Sequence, residues 1–391
     1  MFHNSRMNTI HRQHLNEQVQ AALKRSPIVA LLGPRQCGKT TLAQEIQRKH
    51  TPSHWFDLEN PRDNTRLENP LIKLESLSGL IVLDEIQLRP DSIPILRVLA
   101  DRKKRGTSFL ILGSASPELL QRSSESLAGR IEFVRMSGFS LFELKSQKFS
   151  SLWLKGGFPK SYLSRNLEQS FIWRENFIQT FLERDIRQLG IQIPAMQLRR
   201  FWQMAAHLHG NVWNGSEIAG SLGISHPTSR HYLDLLTGAY MIRQLSPWVE
   251  NLGKRLVKTP KIYIRDSGIL HALLGLKNQQ DIEGHPKYGL SWEGFCIEQI
   301  LSLSGEQQAY FWGTHGGAEL DLLIIKNGKK WGFEFKTNDA PTSTLSMRSA
   351  LKDLKLEHLW IVYPGTESYA LDKKIDCIQV GDLPNLSFLK K

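Results

Sequence analysis

The 391-residue sequence holds only three cysteines, Cys37, Cys296 and Cys377, scattered far apart. That spacing matches neither a disulfide framework nor a zinc-ligand pattern, and a reducing, cytoplasmic location is the expectation. No run of roughly 18 apolar residues occurs, so no membrane span and no membrane partner are expected. The opening residues, MFHNSRMNTIHRQHLNEQ, are too polar for a signal peptide. Internal repeats and low-complexity tracts are missing as well, which excludes solenoids and disordered arrays. Acids are in short supply, with 38 Asp and Glu against 50 Lys and Arg, a formal charge of +12. A basic surface favours phosphate-rich partners such as nucleic acid, although a generally soluble basic protein fits the same number.

The length suits two or three domains. Residues Asn16–Lys24 read as an amphipathic helix feeding a strand at Ile28–Leu32, with a further helix from about Thr40 to Lys49. Short apolar runs at Leu80–Leu83, Phe109–Leu112 and Ile131–Met136 read as buried parallel strands alternating with helices, an α/β pattern. From Ser161 to His209 the periodicity turns helical, with Phe171, Phe177, Phe181 and Leu182 as core positions. The charged stretch Glu183, Arg184, Asp185 and Arg187 is expected to be solvated or paired across helices.

GPRQCGKT at Gly33–Thr40 fits the phosphate-loop pattern G-x-x-x-x-G-K-[ST] at every fixed position, after an apolar strand and before a helix. Gly33 and Gly38 permit backbone conformations and a close approach that a side chain would block. Successive amides and the helix start then surround phosphate. The nucleotide-binding set is therefore Gly33, Pro34, Arg35, Gln36, Cys37, Gly38, Lys39, Thr40 and Thr41. Arg35, Gln36 and Cys37 are variable positions without a special role. Lys39 is expected to reach the β and γ phosphates of ATP, and the Thr40 hydroxyl to ligate Mg2+. LIVLDEIQ at Leu80–Gln87 ends an apolar strand in Asp84–Glu85, at the strand end where open α/β sheets bind ligands. Asp84 is the second metal residue, and Glu85 the general base for water. The next strand, FLILGSAS, ends in Ser114 and Ser116. A polar side chain here could touch the γ phosphate or the attacking water, and a serine-rich turn fits equally.

The series GPRQCGKT, LIVLDEIQ, GSAS, SLAGR, SGFSLFEL, GGFPKSYL and TFLERDI resembles a prokaryotic AAA-type ATPase family whose members carry a C-terminal domain of unknown function 4143. The resemblance covers nearly the whole chain. It implies an AAA-type P-loop NTPase domain at 1–145, a helical linker or lid at 146–210, a winged helix-turn-helix at 211–275 and a PD-(D/E)XK nuclease-like domain at 276–391. The fold class expected is α/β with a helical and winged-helix middle and a restriction-endonuclease-like C-terminal domain. In an AAA-type ATPase a residue placed like Arg130, just before the fifth strand, can serve as an arginine finger for a neighbouring subunit, which implies a homo-oligomer. A plain surface arginine is the alternative.

The segment NGSEIAGSLGISHPTSRHYLDLLTGAYMIRQL reads as a helix-turn-helix with Gly223 at the bend, Ser225 as N-cap and Pro227 early in the second helix. That helix is expected to expose His226, Thr228, Ser229, Arg230 and His231 and to bury Tyr232, Leu233, Leu235 and Leu236. Lys254, Arg255, Lys258 and Lys261 follow on a hairpin-like stretch, Val249–Ile264, as on a wing. DNA contact would use Arg230 and the wing cations on phosphates, with Thr228 and Ser229 near bases. Such a domain also serves as a lid or a protein contact.

After a helix at Ser291–Leu303 come hairpin-like strands from Ala309 to Thr337 and a final strand at Leu359–Tyr363. Glu334 and Lys336 in GFEFK share a strand face, Asp321 lies on the adjoining strand, and Glu293 is on the helix before. This set resembles the PD-(D/E)XK nuclease fold, with Leu320 where a proline would stand. In that chemistry carboxylates hold Mg2+ and the lysine orients or deprotonates water. A structural ion pair on a hairpin fits the same residues. Three readings follow: ATP hydrolysis coupled to DNA binding with room for cleavage, an ATP-dependent DNA- or protein-binding switch whose nuclease-like domain does not cut, and a nucleotide-driven protein remodeller, which the basic charge and the helix-turn-helix make less attractive. Convergence of Glu293, Asp321, Glu334 and Lys336 on an open pocket favours the first. A filled pocket favours the second.

Overall fold

The computed structural model describes residues 10–102, 106–114, 126–144, 149–188, 193–249 and 256–389. The chain divides into two units, Met1–Gly138 with Gly238–Tyr240, and Phe139–Thr237 with Met241–Lys391.

The first unit opens on a helix, Gln13–Arg25. Its sheet contains β1 (Ile28–Leu32), β2 (Ser53–Asp57), β3 (Gly79–Asp84), β4 (Thr107–Gly113) and β5 (Ile131–Arg135). The order is β2-β3-β4-β1-β5, and every neighbouring pair is parallel. The near-continuous apolar sequences of β1, β3 and β4 suit strands covered on both faces. Ile28, Phe56, Ile81, Phe109 and Ile111 belong to one buried cluster with Leu96 of the helix Ser92–Ala100. β2 is an unexpected strand. Its sequence, SHWFD, buries only Phe56, because an edge strand needs no apolar run. The order has a functional consequence: β4 lies between β1 and β3, so the C-terminal ends of all three are adjacent.

In the second unit Phe171, Phe177, Phe181 and Leu182 are buried as their spacing suggests. The helix Leu167–Thr180 widens into a π turn over Phe181–Asp185, and Asp185 turns inward there instead of facing solvent. Helices Gly215–Leu222 and His226–Gly238 flank Gly223, whose φ of 65° supplies the left-handed bend. Ser225 Oγ accepts the Thr228 amide at 3.2 Å, an N-cap. Tyr232, Leu233, Leu235 and Leu236 are buried. β6 (Ile242–Leu245) and β7 (Lys261–Ile264) then pair antiparallel.

A second sheet of this unit contains β8 (Ala309–Gly313), β9 (Glu319–Lys326), β10 (Lys329–Phe335), β11 (His358–Tyr363), β12 (Tyr369–Asp372) and β13 (Ile375–Gln379), in the order β12-β13-β11-β10-β9-β8. Asn327 and Gly328, with φ of 53° and 74°, make the two-residue turn between β9 and β10. The helix Leu345–Asp353 carries the chain from β10 to its parallel neighbour β11. β11 is not the last strand. β12 and β13 follow it, and β12 is polar and exposed at the sheet edge, which erased its apolar signal. Among the described residues no helix is long and apolar enough to cross a membrane.

Candidate functional site

β1 delivers the chain into Gly33–Thr40, and the helix Lys39–Gln47 starts directly after it. Gly33 has no room for a side chain, since a Cβ there would meet the Met136 carbonyl oxygen at 2.0 Å. Gly38 caps the helix with φ 101°, a conformation costly for other residues. Lys39 Nζ is buried and donates to the carbonyls of Gly33 at 3.0 Å and Pro34 at 2.8 Å. Thr40 and Thr41 are exposed on the first helical turn.

Thr40 Oγ1 donates to Asp84 Oδ2 at 3.0 Å, joining the loop to the end of β3. Asp84 is buried, and its pKa is pushed up to about 6, first by burial and then by Glu85; the Thr40 hydrogen bond and Lys39 pull the other way. Glu85 takes a left-handed backbone with φ 58°, a strained choice for a glutamate. Its amide donates to Asp84 Oδ1 at 3.0 Å, and its carboxylate accepts from the Gln87 side-chain amide. Ser114 follows β4, and its Oγ is buried with no hydrogen-bond partner among the described residues. Ser116 lies outside the described residues. The sheet order thus brings Gly33–Thr41, Asp84, Glu85 and Ser114 to one edge.

Two further residues escape the motif. Asp57 ends β2 opposite Asp84 and adds to the negative potential on it. Arg12, at the N-cap position of the first helix, donates to the Cys37 carbonyl at 3.3 Å and to the carbonyls of Ser137 and Gly138, both at 2.8 Å. Apolar periodicity carries no trace of either, because both act through sheet order and long-range contact.

Arg130 does not join this group. It precedes β5, and its carbonyl accepts the Ile28 amide at the start of β1, so it marks the opposite edge of the parallel sheet. Its guanidinium pairs with Asp101 on the surface, at 2.5 Å from Nε and 2.9 Å from Nη2. Arg97, Val98, Asp101, Ser126, Ala128 and Arg130 line an open hollow of about 460 Å³.

In the second unit Glu293, Asp321 and Glu334 are buried, while Lys336 is partly exposed and reaches Glu334 Oε2 at 3.3 Å. The Asp321 carboxylate accepts the Phe335 amide at 3.0 Å. All three acids have raised pKa values, chiefly from burial. Glu293 rises to about 7, with Asp321 adding to the rise against the pull of Lys261. Lys261 was expected on an exposed wing. Instead β7 turns it inward, where its ammonium lies 3.5 Å from Glu293 Oε1 and pairs with Glu319. Tyr263, two residues on along the same strand face, donates to Glu293 Oε1 at 2.5 Å. Burial works against the Lys261 charge, but Glu293, Asp321 and Glu319 outweigh it, and its pKa is raised. Among the described residues no three His, Cys, Asp or Glu side chains are grouped so that they could hold a metal ion.

On the helix His226–Gly238, Arg230 is exposed and pairs with Asp234 at 3.0 Å, while Thr228 is half-buried. Ser229 is fully buried and cannot touch a base. It shares the inward face with Tyr232, Leu233 and Leu236, three, four and seven residues on. Lys258 is exposed. Lys254 and Arg255 lie outside the described residues.

The AAA domain family matches residues 25–145, so the first unit is an AAA-type ATPase domain with a parallel α/β sheet. Two domains of unknown function match further along the chain, DUF8612 at 146–280 and DUF4143 at 288–383. The chain is 49% identical over 366 residues to "Uncharacterized protein Rv2008c" of Mycobacterium tuberculosis, covering 94% of this chain and 83% of that protein. The same figures hold for "Uncharacterized protein Mb2031c" of Mycobacterium bovis. Among solved structures it is similar in fold to the Walker-type ATPase of Pyrococcus abyssi, with TM-score 0.50 and 16% identity, covering 69% of this chain and 97% of that one.

Proposed function

The chain belongs to the family of those two mycobacterial proteins, and from that premise we propose that it is a magnesium-dependent ATPase whose hydrolysis switches a DNA-binding second unit that does not cut. The observation that carries the ATPase reading is the 3.0 Å hydrogen bond from Thr40 to Asp84, which puts a hydroxyl and a buried carboxylate together at the mouth of the phosphate loop. The residues fit Mg–ATP, since among the described residues Ser114 Oγ at the same edge has no hydrogen-bond partner and Lys39 donates to loop carbonyls. Magnesium bound with ATP supplies neutralisation of phosphate charge.

Lys39 exchanges its loop carbonyls for the terminal phosphates. Thr40 and Asp84 would hold the ion. Glu85, fixed by Gln87, takes the proton of the attacking water, and Ser114 orients that water or the terminal phosphate. Arg130 faces away from its own nucleotide edge, which supports its acting on a neighbouring copy in a homo-oligomer. Its surface partner Asp101 is screened by water and readily given up.

The helix pair and the β6–β7 hairpin support reading 211–275 as a winged helix. Among the described residues Arg230, Thr228 and Lys258 are its available DNA contacts, and the +12 charge suits a phosphate backbone. The second sheet and its buried acids support a nuclease-like fold at 276–391. The resident ammonium of Lys261 among those acids favours binding over cleavage. The test is ATP turnover in wild type, Lys39→Ala and Glu85→Gln with DNA of varied length. ATP turnover equal in all three proteins overturns the ATPase assignment, and DNA binding that ignores nucleotide overturns the switch.

A further inference from the structure

We infer that Arg12 is a positioning residue for the phosphate loop, setting the backbone of Gly38 for the phosphates of ATP; this rests on the ATPase reading of that loop. The residue is only 7% exposed, and its guanidinium bridges two segments far apart in sequence. One nitrogen, Nη1, donates to Cys37 in the phosphate loop at 3.3 Å and to Ser137 at 2.8 Å, while Nη2 donates to Gly138 at 2.8 Å. Ser137 and Gly138 follow β5 and end the first stretch of the nucleotide unit.

The same strip backs the loop at two more points. A side chain at Gly33 would run into the Met136 carbonyl, and Cys37 Sγ lies 3.9 Å from it. Met136–Gly138 is thus the rear wall of the loop, and Arg12 is the clamp that ties wall to loop.

The chemistry follows from peptide geometry. A planar trans peptide points its carbonyl and its N–H in opposite directions. Holding the Cys37 carbonyl against Arg12 therefore turns the Gly38 N–H to the far side of the loop, where a phosphate cradle needs a donor. A planar fork with several fixed donors can bridge the loop and the wall together. A lysine, with its compact point charge, cannot hold the same three carbonyls in the same geometry.

The test measures binding of ATP with magnesium, and KM and kcat of hydrolysis, for full-length wild type, Arg12→Lys and Arg12→Gln. Thermal unfolding of each checks the fold. A displaced Gly38 amide should raise the KM of Arg12→Gln about tenfold while kcat stays within about threefold, and Arg12→Lys should lie between the two. A folded Arg12→Gln with wild-type KM and ATP affinity overturns the inference. So does an equal loss in kcat with KM unchanged. If Arg12→Gln does not fold, Arg12→Lys decides by the same criterion. A wild type that neither binds nor hydrolyses ATP better than Lys39→Ala overturns the site reading itself, a result distinct from any Arg12 outcome.

Discussion

Two acid sites in this chain look alike in sequence and differ in what surrounds them. In the nucleotide unit, Asp84 ends a buried strand and meets a hydroxyl, Thr40, and Ser114 on the neighbouring strand end has no hydrogen-bond partner among the described residues. In the second unit, Asp321 and Glu334 also lie on buried strands, but Lys261, Tyr263 and Lys336 engage the acids around them. The first site retains unmet capacity for a ligand, whereas the second has filled much of its own. Local motifs were present in both, and a residue about 30 to 70 positions away decided between them.

The sharpest break in this comparison is at Lys39. Replacing it with alanine should lower ATP turnover by at least about 10³-fold, measured by phosphate release. Glu85→Gln should bind ATP normally and turn over about 10²–10³-fold more slowly, separating binding from proton transfer. Lys261→Met removes a buried cation from a group of acids. It should destabilise the second unit by about 3–5 kcal/mol in a denaturant titration, while the ATP affinity of the first unit stays unchanged.

Acid should stress the second unit in a defined window. His209 and His271 are fully buried, and burial lowers both pKa values to about 3 from an ordinary 6.5. Folded-state stability from these groups is complete above pH 6.5 and is lost as pH falls toward 3, by up to about 1.4 kcal/mol per pH unit for each. Glu293, raised to about 7, has the opposite sign, gaining stability as pH falls from 7 to its ordinary 4.5. Unfolding midpoints should therefore drop most steeply below pH 4.5. The smallest effect is expected at Arg230→Ala, which should weaken DNA binding and reduce the salt slope by about 1.

Much of the nucleotide unit was legible because its information is local. β1 matched its apolar run residue for residue, and the phosphate loop and Asp84–Glu85 followed from fixed spacing. β2 and β12 were not legible, since edge strands need no continuous apolar sequence. Ser229 was misassigned because helix orientation in the bundle, rather than polarity, sets which face turns inward. Lys261 misled for a related reason: a lysine in a basic stretch reads as surface until a strand register turns it toward buried acids. Arg12 carried no signal, since its partners lie 25 and about 125 residues away.

One reaction mixture tests the contrast between the sites most directly. Wild type and Lys336→Ala are each incubated with magnesium, ATP and a mixture of linear and circular DNA, while phosphate release and DNA length are followed together. The account predicts ATP consumption by both proteins with the DNA left intact. DNA cut by wild type and spared by Lys336→Ala would contradict it.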